Sequence, residues 1–370
     1  MELNKIYLGD NIETLRTFPD ESIDCCITSP PYYGLRDYGT GTWIGGDPNC
    51  PHYLVRKYDA TTTGNKAMYD TNSGIGAVGG EIYKSVCPKC GAVREDKQVG
   101  LEESPEEYID RLVSIFREVK RVLKDEGTLW VNIGDSYAGG AGRWGGLDNI
   151  SDMQSSSNVG SLSQIPHTKK WQHDVIKPKD LIGIPWLLAF ALRNDGWYLR
   201  QDIIWHKPNP MPESVKDRCT KSHEYIFLLS KSQKYYFDNV AIQEDAVCKD
   251  DRRAGLGHID YSGKRSTDNT SMGQQSFVSI SDKRNKRDVW SVSPAHYTEA
   301  HFATFPEELV YPMIVAGCPR DGVVLDPFMG SGTTAVVAKN NNRNYIGCEL
   351  NEEYVRIAEN RLSRQQMRLF

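Results

Sequence analysis

A glycine-rich segment of the chain has the residue types of a nucleotide-binding turn. Residues 326–334 read DPFMGSGTT, follow an apolar run at 323–325 and precede an apolar stretch at 335–339. Glycines let the backbone approach a ligand closely, and Glu349, 23 residues after Asp326, stands where an acidic side chain accepts both hydroxyls of a ribose. The segment has neither the lysine of a phosphate-binding loop nor a complete GxGxxG pattern. A ligand with an adenosine but no pyrophosphate fits best, and S-adenosylmethionine is such a ligand.

A second group of residues has the spacing of a metal site. Cys87 and Cys90 belong to a CPKCG sequence, which predicts two thiolates on one tight turn, as in a zinc knuckle. Cys50 and His52 lie upstream and complete a Cys₃His donor set, although the single residue between them is a shorter gap than usual. We predict a structural zinc ion, because four protein ligands leave no open coordination position. The alternative is a pair of free thiols on a loop.

The sequence Ser29-Pro30-Pro31-Tyr32 forms a third candidate site. It follows an apolar run at 23–28, which is typical of a buried parallel strand. Two prolines end the hydrogen-bonding ladder of such a strand. We therefore predict a rigid turn at the carboxyl end of the strand, where ligands of open α/β sheets bind. The alternative is that the prolines only end the strand and that Tyr32 belongs to the core.

The periodicity of apolar residues predicts the elements that position these sites. The helix at 104–124 has the clearest signals, with Ser104 as cap, Pro105 in the first turn and Glu107 completing a capping box. Helices that alternate with short apolar strands are typical of α/β folds. The predicted strands are 5–8, 23–28, 128–133, 197–205, 224–229, 235–237, 323–325 and 345–348. The predicted helices are 11–18, 104–124, 181–192, 306–316, 335–339 and 352–366.

The order of these elements predicts a circularly permuted sheet. Only one helix follows Glu349, so the strands that the nucleotide-binding half still lacks must come from the amino-terminal region, at 5–8 and 23–28. Asp10 follows the first of these strands. Because ligands bind at the carboxyl ends of the strands in open α/β sheets, we expect Asp10, Ser29, Gly330 and Glu349 to line one cleft.

Composition limits the class of protein without identifying its partner. Hydrophobic residues make up 39% of the 370 residues, which suffices for a core, and no apolar run is long enough for a membrane span. Nine cysteines are an odd number, and the first residues lack a secretory pattern, so we expect a reducing, cytoplasmic setting. The net charge of -5 neither indicates nor excludes nucleic acid, because residues 249–290 hold nine lysines and arginines against six aspartates.

The Ser29 to Tyr32 motif and the DPFMGSGT motif together resemble the β-class amino methyltransferases of restriction–modification systems and phages, in which the catalytic motif precedes the cofactor motif. This resemblance implies a Rossmann-like methyltransferase sheet, with S-adenosylmethionine as cofactor and a flipped DNA base as substrate. It implies that Ser29 and the Pro30 carbonyl accept hydrogen bonds from the target amine, that the prolines keep the turn rigid, and that Tyr32 stacks on the base. The residues assigned to the cofactor are Asp10, at its adenine amino group, Phe302, Asp326, Phe328, Gly330, Gly332, Thr333 and Glu349.

The resemblance and the composition together divide the chain into parts. Residues 1–40 hold the catalytic motif, 41–100 are an insertion with the zinc site, 101–237 continue the methyltransferase domain, and 289–370 hold the cofactor motif. Within the third part, 138–170 form a loop rich in glycine and serine. Residues 238–288 are the expected target-recognition region. The basic residues predicted to meet DNA phosphates are Arg252, Arg253, Lys283, Arg284, Lys286 and Arg287.

The preferred target atom is predicted from one residue. Family members that act on cytosine N4 mostly carry serine before Pro-Pro, and those that act on adenine N6 mostly carry aspartate or asparagine, so Ser29 favours cytosine N4 over adenine N6. Three alternatives stay open: a dehydrogenase with the same glycine-rich sheet, an RNA or protein methyltransferase, and a DNA-binding module without activity. The expected partner is double-stranded DNA, and a cognate restriction endonuclease is left open.

Overall fold

Short apolar runs form the strands of a central sheet in the computed structural model, which describes residues 1–34, 40–55, 80–82, 86–138, 173–245, 283–294 and 305–366. The strands are β1 (Lys5–Leu8), β2 (Ile23–Thr28), β3 (Thr42–Ile44), β4 (Tyr53–Val55), β5 (Gly80–Ile82), β6 (Val93–Glu95), β7 (Leu123–Ile133), β8 (Tyr198–His206), β9 (His223–Ser230), β10 (Glu244–Asp245), β11 (Lys283–Arg284), β12 (Val289–Ser291), β13 (Val323–Asp326) and β14 (Asn344–Glu349). The helices are α1 (Asn11–Arg16), α2 (Pro105–Val122), α3 (Ile184–Asn194), α4 (Glu307–Gly317), α5 (Thr333–Asn340) and α6 (Glu352–Gln366).

The central sheet joins strands from distant parts of the chain in the order β1-β14-β13-β2-β7-β9-β8-β12. The first five strands of this order are parallel, and β9 runs antiparallel to both of its neighbours. Lys5 lies opposite Ile346, so β1 extends the nucleotide-binding half, which confirms the predicted circular permutation. The carboxyl ends of β1, β14, β13, β2, β7 and β8 therefore share one edge of the sheet with the amino end of β9.

Helices cover both faces of the sheet, and a buried apolar layer fills each side. One layer includes Leu112 of α2 and Leu188 of α3, and the other includes Met313 of α4 and Val336 of α5. Cys25, Cys26 and Ile27 of β2 alternate between the layers, as the pleat of a strand requires. This two-sided burial explains why β2 is largely apolar and is buried at every position except Asp24. No helix within the described ranges is both long and apolar enough to span a membrane.

Helix α2 shows how the predicted caps act. The Ser104 hydroxyl accepts from the Glu107 amide at 3.2 Å, and the Glu107 carboxylate accepts in return from the Glu103 amide at 3.1 Å. Helix α3 begins at Ile184 rather than at the predicted residue 181, and Pro185 lies in its first turn, where its missing N–H has no partner to lose.

The sheet differs from the predicted strands in three places. Residues 235–237 are not a strand, since the Tyr236 amide donates to the Glu126 carbonyl at 2.9 Å and the segment crosses the end of β7. Strand β7 begins at Leu123, directly after α2, because Leu123 already pairs with Ile23. Strand β12 was not predicted, since three residues are too few to establish a periodicity.

The described strands of the predicted insertion at 41–100 lie outside the central sheet. Strands β3 and β6 form one antiparallel ribbon, and β4 and β5 form another. The insertion leaves and rejoins the fold at the predicted catalytic turn, where the Gly34 amide donates to the Gly100 carbonyl at 2.9 Å. Gly100 has a φ of +98°, and a Cβ there would lie 2.9 Å from the Tyr32 carbonyl oxygen. A glycine is therefore required where the two segments meet.

Candidate active site

The predicted catalytic turn and the predicted glycine turn are neighbours at one edge of the sheet. Strand β2 ends in Ser29 and strand β13 ends in the DPFMGSGTT segment, and the two strands are hydrogen-bonded to each other. The Thr28 hydroxyl donates to the Asp326 carboxylate at 2.6 Å across this junction. The Asn11 side chain, just beyond β1, donates to the Pro327 carbonyl at 3.3 Å. The ends of β1, β14, β13 and β2 are therefore neighbours, and the cleft that Asp10, Ser29, Gly330 and Glu349 are expected to line stays a prediction.

Asp326 is fully buried and stabilises the glycine turn from inside the fold. Its carboxylate accepts hydrogen bonds from the Thr28 hydroxyl, the Thr334 hydroxyl at 2.7 Å and the Phe328 amide at 3.0 Å. Burial raises the pKa of Asp326 to about 6, although the three hydrogen bonds act in the opposite direction and lower it. This side chain faces the protein, so any part in cofactor binding acts through the backbone of the turn.

The two glycines of the turn have positive φ angles, +53° at Gly330 and +83° at Gly332. Gly332 precedes α5 and faces α6, where a Cβ at residue 332 would lie 2.7 Å from the Cβ of Ala358. The buried Thr333 hydroxyl accepts from Arg361 at 3.2 Å. Gly332 and Thr333 therefore pack the turn against α6, and their predicted contact with a cofactor stays a prediction.

Glu349, at the end of β14, closes the turn from the other side. One carboxylate oxygen accepts from the Gly330 amide at 2.7 Å, and the other accepts from the Asn351 amide at 2.8 Å. Burial raises the pKa of this carboxyl, while the amide hydrogen bonds lower it. A carboxylate has about four acceptor positions, so Glu349 can still accept a ribose hydroxyl. The glycine turn and the acidic residue are thus directly linked, as the motif predicts.

Asp10 follows β1 and is partly buried at the same edge. Its side chain accepts from the Glu13 amide at 3.0 Å and so caps α1. The capping bond uses one carboxylate oxygen. The predicted contact of Asp10 with an adenine amino group therefore stays a prediction for the rest of the carboxylate.

The catalytic turn is fixed by contacts on both sides of the chain. The Tyr108 hydroxyl donates to the Pro31 carbonyl at 2.8 Å, and Pro30 is buried. The Tyr32 ring packs so closely on Gly134 that a Cβ there would lie 2.7 Å from Cε2 of the ring. Tyr32 is only partly buried, and stacking of a base on its exposed part stays a prediction.

Three polar residues that the sequence did not single out lie behind the turn. The Tyr32 hydroxyl donates to the Glu224 carboxylate at 2.6 Å and lies 3.2 Å from Oδ1 of Asn132. Burial raises the pKa of Tyr32 well above its ordinary value, and the negative charge of Glu224 acts in the same direction. Lys207 forms an ion pair with the other oxygen of Glu224. A buried asparagine within the apolar run of β7 was the available signal, because buried polar groups require partners.

The four predicted metal ligands come together. The donor atoms of Cys50, His52, Cys87 and Cys90 all lie within 4.8 Å of one another, and the sulfurs of Cys50 and Cys87 are 3.7 Å apart. The knuckle is closed by the Gly91 amide, which donates to the Cys87 carbonyl at 2.8 Å. The pKa of the Cys90 thiol is lowered to about 6, chiefly by the backbone hydrogen bond from Ala92.

The His52 ring is held in place on one side only. It stacks on Trp43 with ring centroids 4.5 Å apart, and its Nε2 is buried without a hydrogen-bond partner among the described residues. A Cβ at Gly46 would lie 2.8 Å from the sulfur of Cys90, so this glycine leaves room beside the cluster. An orphaned imidazole nitrogen next to three thiols has the chemistry of a zinc site.

The predicted DNA-contacting residues are partly paired within the protein. Strands β10 and β11 form a small ribbon that joins acidic to basic side chains. The pairs are Lys283 with Asp245 at 2.8 Å, Arg284 with Glu244 at 3.0 Å, and Arg287 with Glu244 at 2.7 Å. Lys286 instead lies 5.2 Å above the Trp290 ring. Phe302, Arg252, Arg253 and the loop at 139–170 lie outside the described residues.

Comparisons with known proteins agree with this geometry. The DNA methylase family, which groups N6 and N4 methyltransferases, matches residues 23–360. The chain is 40% identical over 364 residues to the type II methyltransferase M.Cfr9I of Citrobacter freundii, covering 98% of this chain and 89% of that protein. It is 39% identical over 362 residues to the type II methyltransferase M.SmaI of Serratia marcescens, covering 98% of this chain and 91% of that protein. A solved PvuII DNA methyltransferase described as cytosine-N4-specific has a TM-score of 0.53 and 18% identity, with 97% of this chain and 86% of that chain covered, which indicates a shared fold.

Proposed function

The chain belongs to the N6/N4 DNA methylase family, and from that premise we propose that it transfers a methyl group from S-adenosylmethionine to the exocyclic amine of a flipped base in double-stranded DNA, with cytosine N4 as the preferred target. The observation that carries this proposal is the direct junction between the two turns, with Thr28 of one strand hydrogen-bonded to Asp326 of the next. A cofactor on the glycine turn and a base at Ser29 are thereby neighbours.

The residues at the glycine turn fit an adenosine-containing cofactor. Glu349 has lone pairs left for ribose hydroxyls, and its negative charge strengthens such bonds. Asp10, with one oxygen used in capping, has another for the adenine amino group. Gly330 leaves the backbone open to close approach, since a Cβ there would meet only the Phe328 carbonyl oxygen, at 3.9 Å. Phe302 completes the proposed cofactor set.

The chemistry demands activation of a poor nucleophile. The lone pair of an exocyclic amine is delocalised into the ring, so hydrogen-bond acceptors must draw the nitrogen toward tetrahedral geometry. Ser29 and the Pro30 carbonyl are the proposed acceptors, and the rigid Pro-Pro turn holds them in place. When bound, the cofactor supplies a methyl group on a positively charged sulfur. The base must leave the helix to reach this site.

Ser29 supports cytosine N4 as the target. In the β-class family serine before Pro-Pro accompanies N4 specificity more often than N6 specificity. A hydroxyl both accepts from an amine and donates to a neighbouring group, which a carboxylate cannot do. Adenine N6 is the alternative, because the two amines pose the same electronic problem.

We also propose that the Cys50, His52, Cys87 and Cys90 cluster binds a structural zinc ion. Zinc–sulfur bonds of about 2.3 Å in a tetrahedron separate two sulfurs by about 3.8 Å, and the sulfurs of Cys50 and Cys87 are 3.7 Å apart. The buried, unpartnered Nε2 of His52 supplies a fourth ligand. Such an ion would order an insertion whose described strands form only two-stranded ribbons.

The proposed partner is double-stranded DNA, bound in part by the region at 238–288, and the proposed setting is the cytoplasm. The type II methyltransferase names of the relatives support a place in a restriction–modification system, with a restriction endonuclease as counterpart.

The proposed function is tested by incubating the protein with methyl-labelled S-adenosylmethionine and DNA from a host that lacks methyltransferases, and then digesting the DNA to nucleosides. We expect N4-methylcytosine. N6-methyladenine alone would overturn the target atom, and unlabelled DNA would overturn the methyltransferase proposal.

A further inference from the structure

The direction of the hydrogen bonds at Ser29 decides whether the turn can act on an amine. A serine hydroxyl both donates and accepts, whereas the amino group of a base needs an acceptor. The Ser29 proton must therefore point into the protein, so that the oxygen lone pairs face the substrate. The Ser-Pro-Pro-Tyr motif does not fix this direction, and the residues behind it must do so.

Two acceptors behind Ser29 are within reach of its proton. Among the described side chains, Oδ1 of Asn132 lies 3.4 Å and the Tyr32 oxygen 3.5 Å from the Ser29 hydroxyl. Tyr32 has a single proton, which it donates to Glu224 at 2.6 Å. Its oxygen therefore presents lone pairs, and not a proton, toward Ser29.

The amide of Asn132 is held in one orientation. Its Nδ2 donates to the Tyr225 carbonyl and to Oε2 of Glu224, both at 3.2 Å. A backbone carbonyl only accepts, and an ionised carboxylate only accepts, so the NH₂ end must face these two groups. The carbonyl end of Asn132 then faces Ser29 and Tyr32, and because the Tyr32 proton goes to Glu224, this oxygen is the acceptor for the Ser29 proton.

Glu224 sets the direction for the whole network. Its Oε2 accepts from both Tyr32 and Asn132, and its Oε1 accepts from Lys207. The Lys207 ammonium also lies 4.3 Å above the Trp205 ring, which fixes it beside Glu224. Because Lys207 donates to one carboxylate oxygen, the other oxygen is left to accept from Tyr32 and Asn132.

We propose that Glu224 is a positioning residue that makes Ser29 a hydrogen-bond acceptor toward the target amine, acting through Tyr32 and Asn132. The inference rests on the proposed function, because it assigns a direction to the hydroxyl that the methyl transfer needs. Glu224 does not touch the base in this scheme, and its effect reaches the substrate only through Ser29.

In Glu224→Gln, the atom that faces Tyr32 and Asn132 changes from a hydrogen-bond acceptor to a donor. Because Lys207 donates to Oε1, the glutamine must turn its carbonyl to Lys207 and its NH₂ to Tyr32 and Asn132. Tyr32 then directs its own proton toward Asn132 or Ser29, which competes for a lone pair that the amine needs. We expect kcat to fall about tenfold or more, with KM for DNA and Kd for S-adenosylmethionine changed less than about twofold. Glu213→Gln, which removes a half-buried carboxylate paired with Arg218, is the matched control and should leave kcat unchanged.

A double-mutant cycle separates positioning from a structural role. In a Ser29→Ala background, Glu224→Gln should change kcat less than about twofold, since the hydroxyl that Glu224 orients is absent. Equal losses in both backgrounds, or unchanged kcat for Glu224→Gln in the wild-type background, would overturn the proposal. If the wild-type protein transfers no methyl group to DNA, the proposed function itself fails, which is a different result.

A second variant keeps the proposal testable if Glu224→Gln unfolds the protein. Combining Glu224→Gln with Lys207→Met removes the cation, so the glutamine carbonyl is free to face Tyr32 and Asn132. We expect this double variant to regain at least about threefold in kcat over Glu224→Gln, or to keep more than about a tenth of wild-type kcat if the single variant cannot be purified. A folded double variant below these values would refute the role of Glu224.

Discussion

The Thr28 hydroxyl donates a 2.6 Å hydrogen bond to the buried carboxylate of Asp326, which joins the strand before the catalytic turn to the strand before the glycine turn. Two turns from sequence positions nearly 300 residues apart are thereby held in one arrangement. The carboxylate has three donors and no exposure to solvent, so its protonation affects the stability of this junction.

We predict that Asp326→Asn changes how stability depends on pH. Burial raises the pKa of Asp326 from 3.8 to about 6, so the folded state holds this proton more tightly than the unfolded state. The stability from this group is fully present below pH 4 and is lost as pH rises through 6, by about 3 kcal/mol. The free energy of unfolding of the variant minus that of wild type should therefore rise by about 3 kcal/mol from pH 4 to pH 7, measured by urea denaturation. Parallel pH profiles for the two proteins would contradict the raised pKa.

We predict that Glu349→Ala weakens cofactor binding. Loss of charge-assisted hydrogen bonds to a ribose should reduce the binding free energy by about 1.5–3 kcal/mol, measured by titration calorimetry with S-adenosylmethionine. Glu353→Ala, on the exposed side of α6, is the control and should bind as wild type does. An unchanged affinity would remove Glu349 from the cofactor site.

We predict that Ser29→Ala lowers turnover without affecting the cofactor. The variant loses one acceptor for the target amine, so kcat should fall about 10²–10³-fold in a methyl-transfer assay. The affinity for S-adenosylmethionine should stay within about twofold, because Ser29 belongs to the neighbouring turn. Ser22→Ala, which removes a hydroxyl that bonds to the Pro19 carbonyl, should be fully active. A variant at Ser29 with normal turnover would exclude the acceptor role.

We predict about one zinc ion per chain in protein purified without chelator, measured by elemental analysis. Cys90→Ser should lower the zinc content, because serine replaces a thiolate in the cluster. Cys219→Ser changes an exposed thiol elsewhere and should leave the content unchanged. Zinc-free wild-type protein would show that the four ligands converge for another reason.

We predict a smaller salt dependence of DNA binding when basic residues next to β11 are neutralised. Each phosphate contact that is lost should reduce the slope of log K against log salt by about one. Lys286→Gln should reduce the slope more than Arg287→Gln does, because Arg287 already pairs with Glu244. Lys234→Gln, an exposed lysine in the loop after β9, is the control. Identical slopes for wild type and the variant at Lys286 would mean that this residue lies away from DNA.

Sequence periodicity and motif order predicted the central sheet and its permutation, because β2 and β13 are apolar on both faces and each ends in a motif with rigid or glycine residues. The four metal ligands were also predicted together, because Cys50 and His52 are close in sequence, as are Cys87 and Cys90. Glu224 and Asn132 were missed, since their meeting depends on the antiparallel register of β7 and β9, in which Asn132 lies opposite Ile226. The short strand β12 and the pairing of Lys283 with Asp245 likewise depend on contacts between distant segments.

The pairing of β1 with β14 has a consequence for how the molecule is made. The Tyr345 amide donates to the side chain of Asn4, 341 residues earlier, so β1 can pair with β14 only after the residues between them have been synthesised. Such non-local pairing slows folding, because the chain must close a very long loop before the contact forms. A nascent chain therefore carries its catalytic turn for most of translation with no strand beside β2 to supply a cofactor turn. A chain whose synthesis stops before β13 therefore lacks the hydrogen bond between Thr28 and Asp326 that joins the two turns.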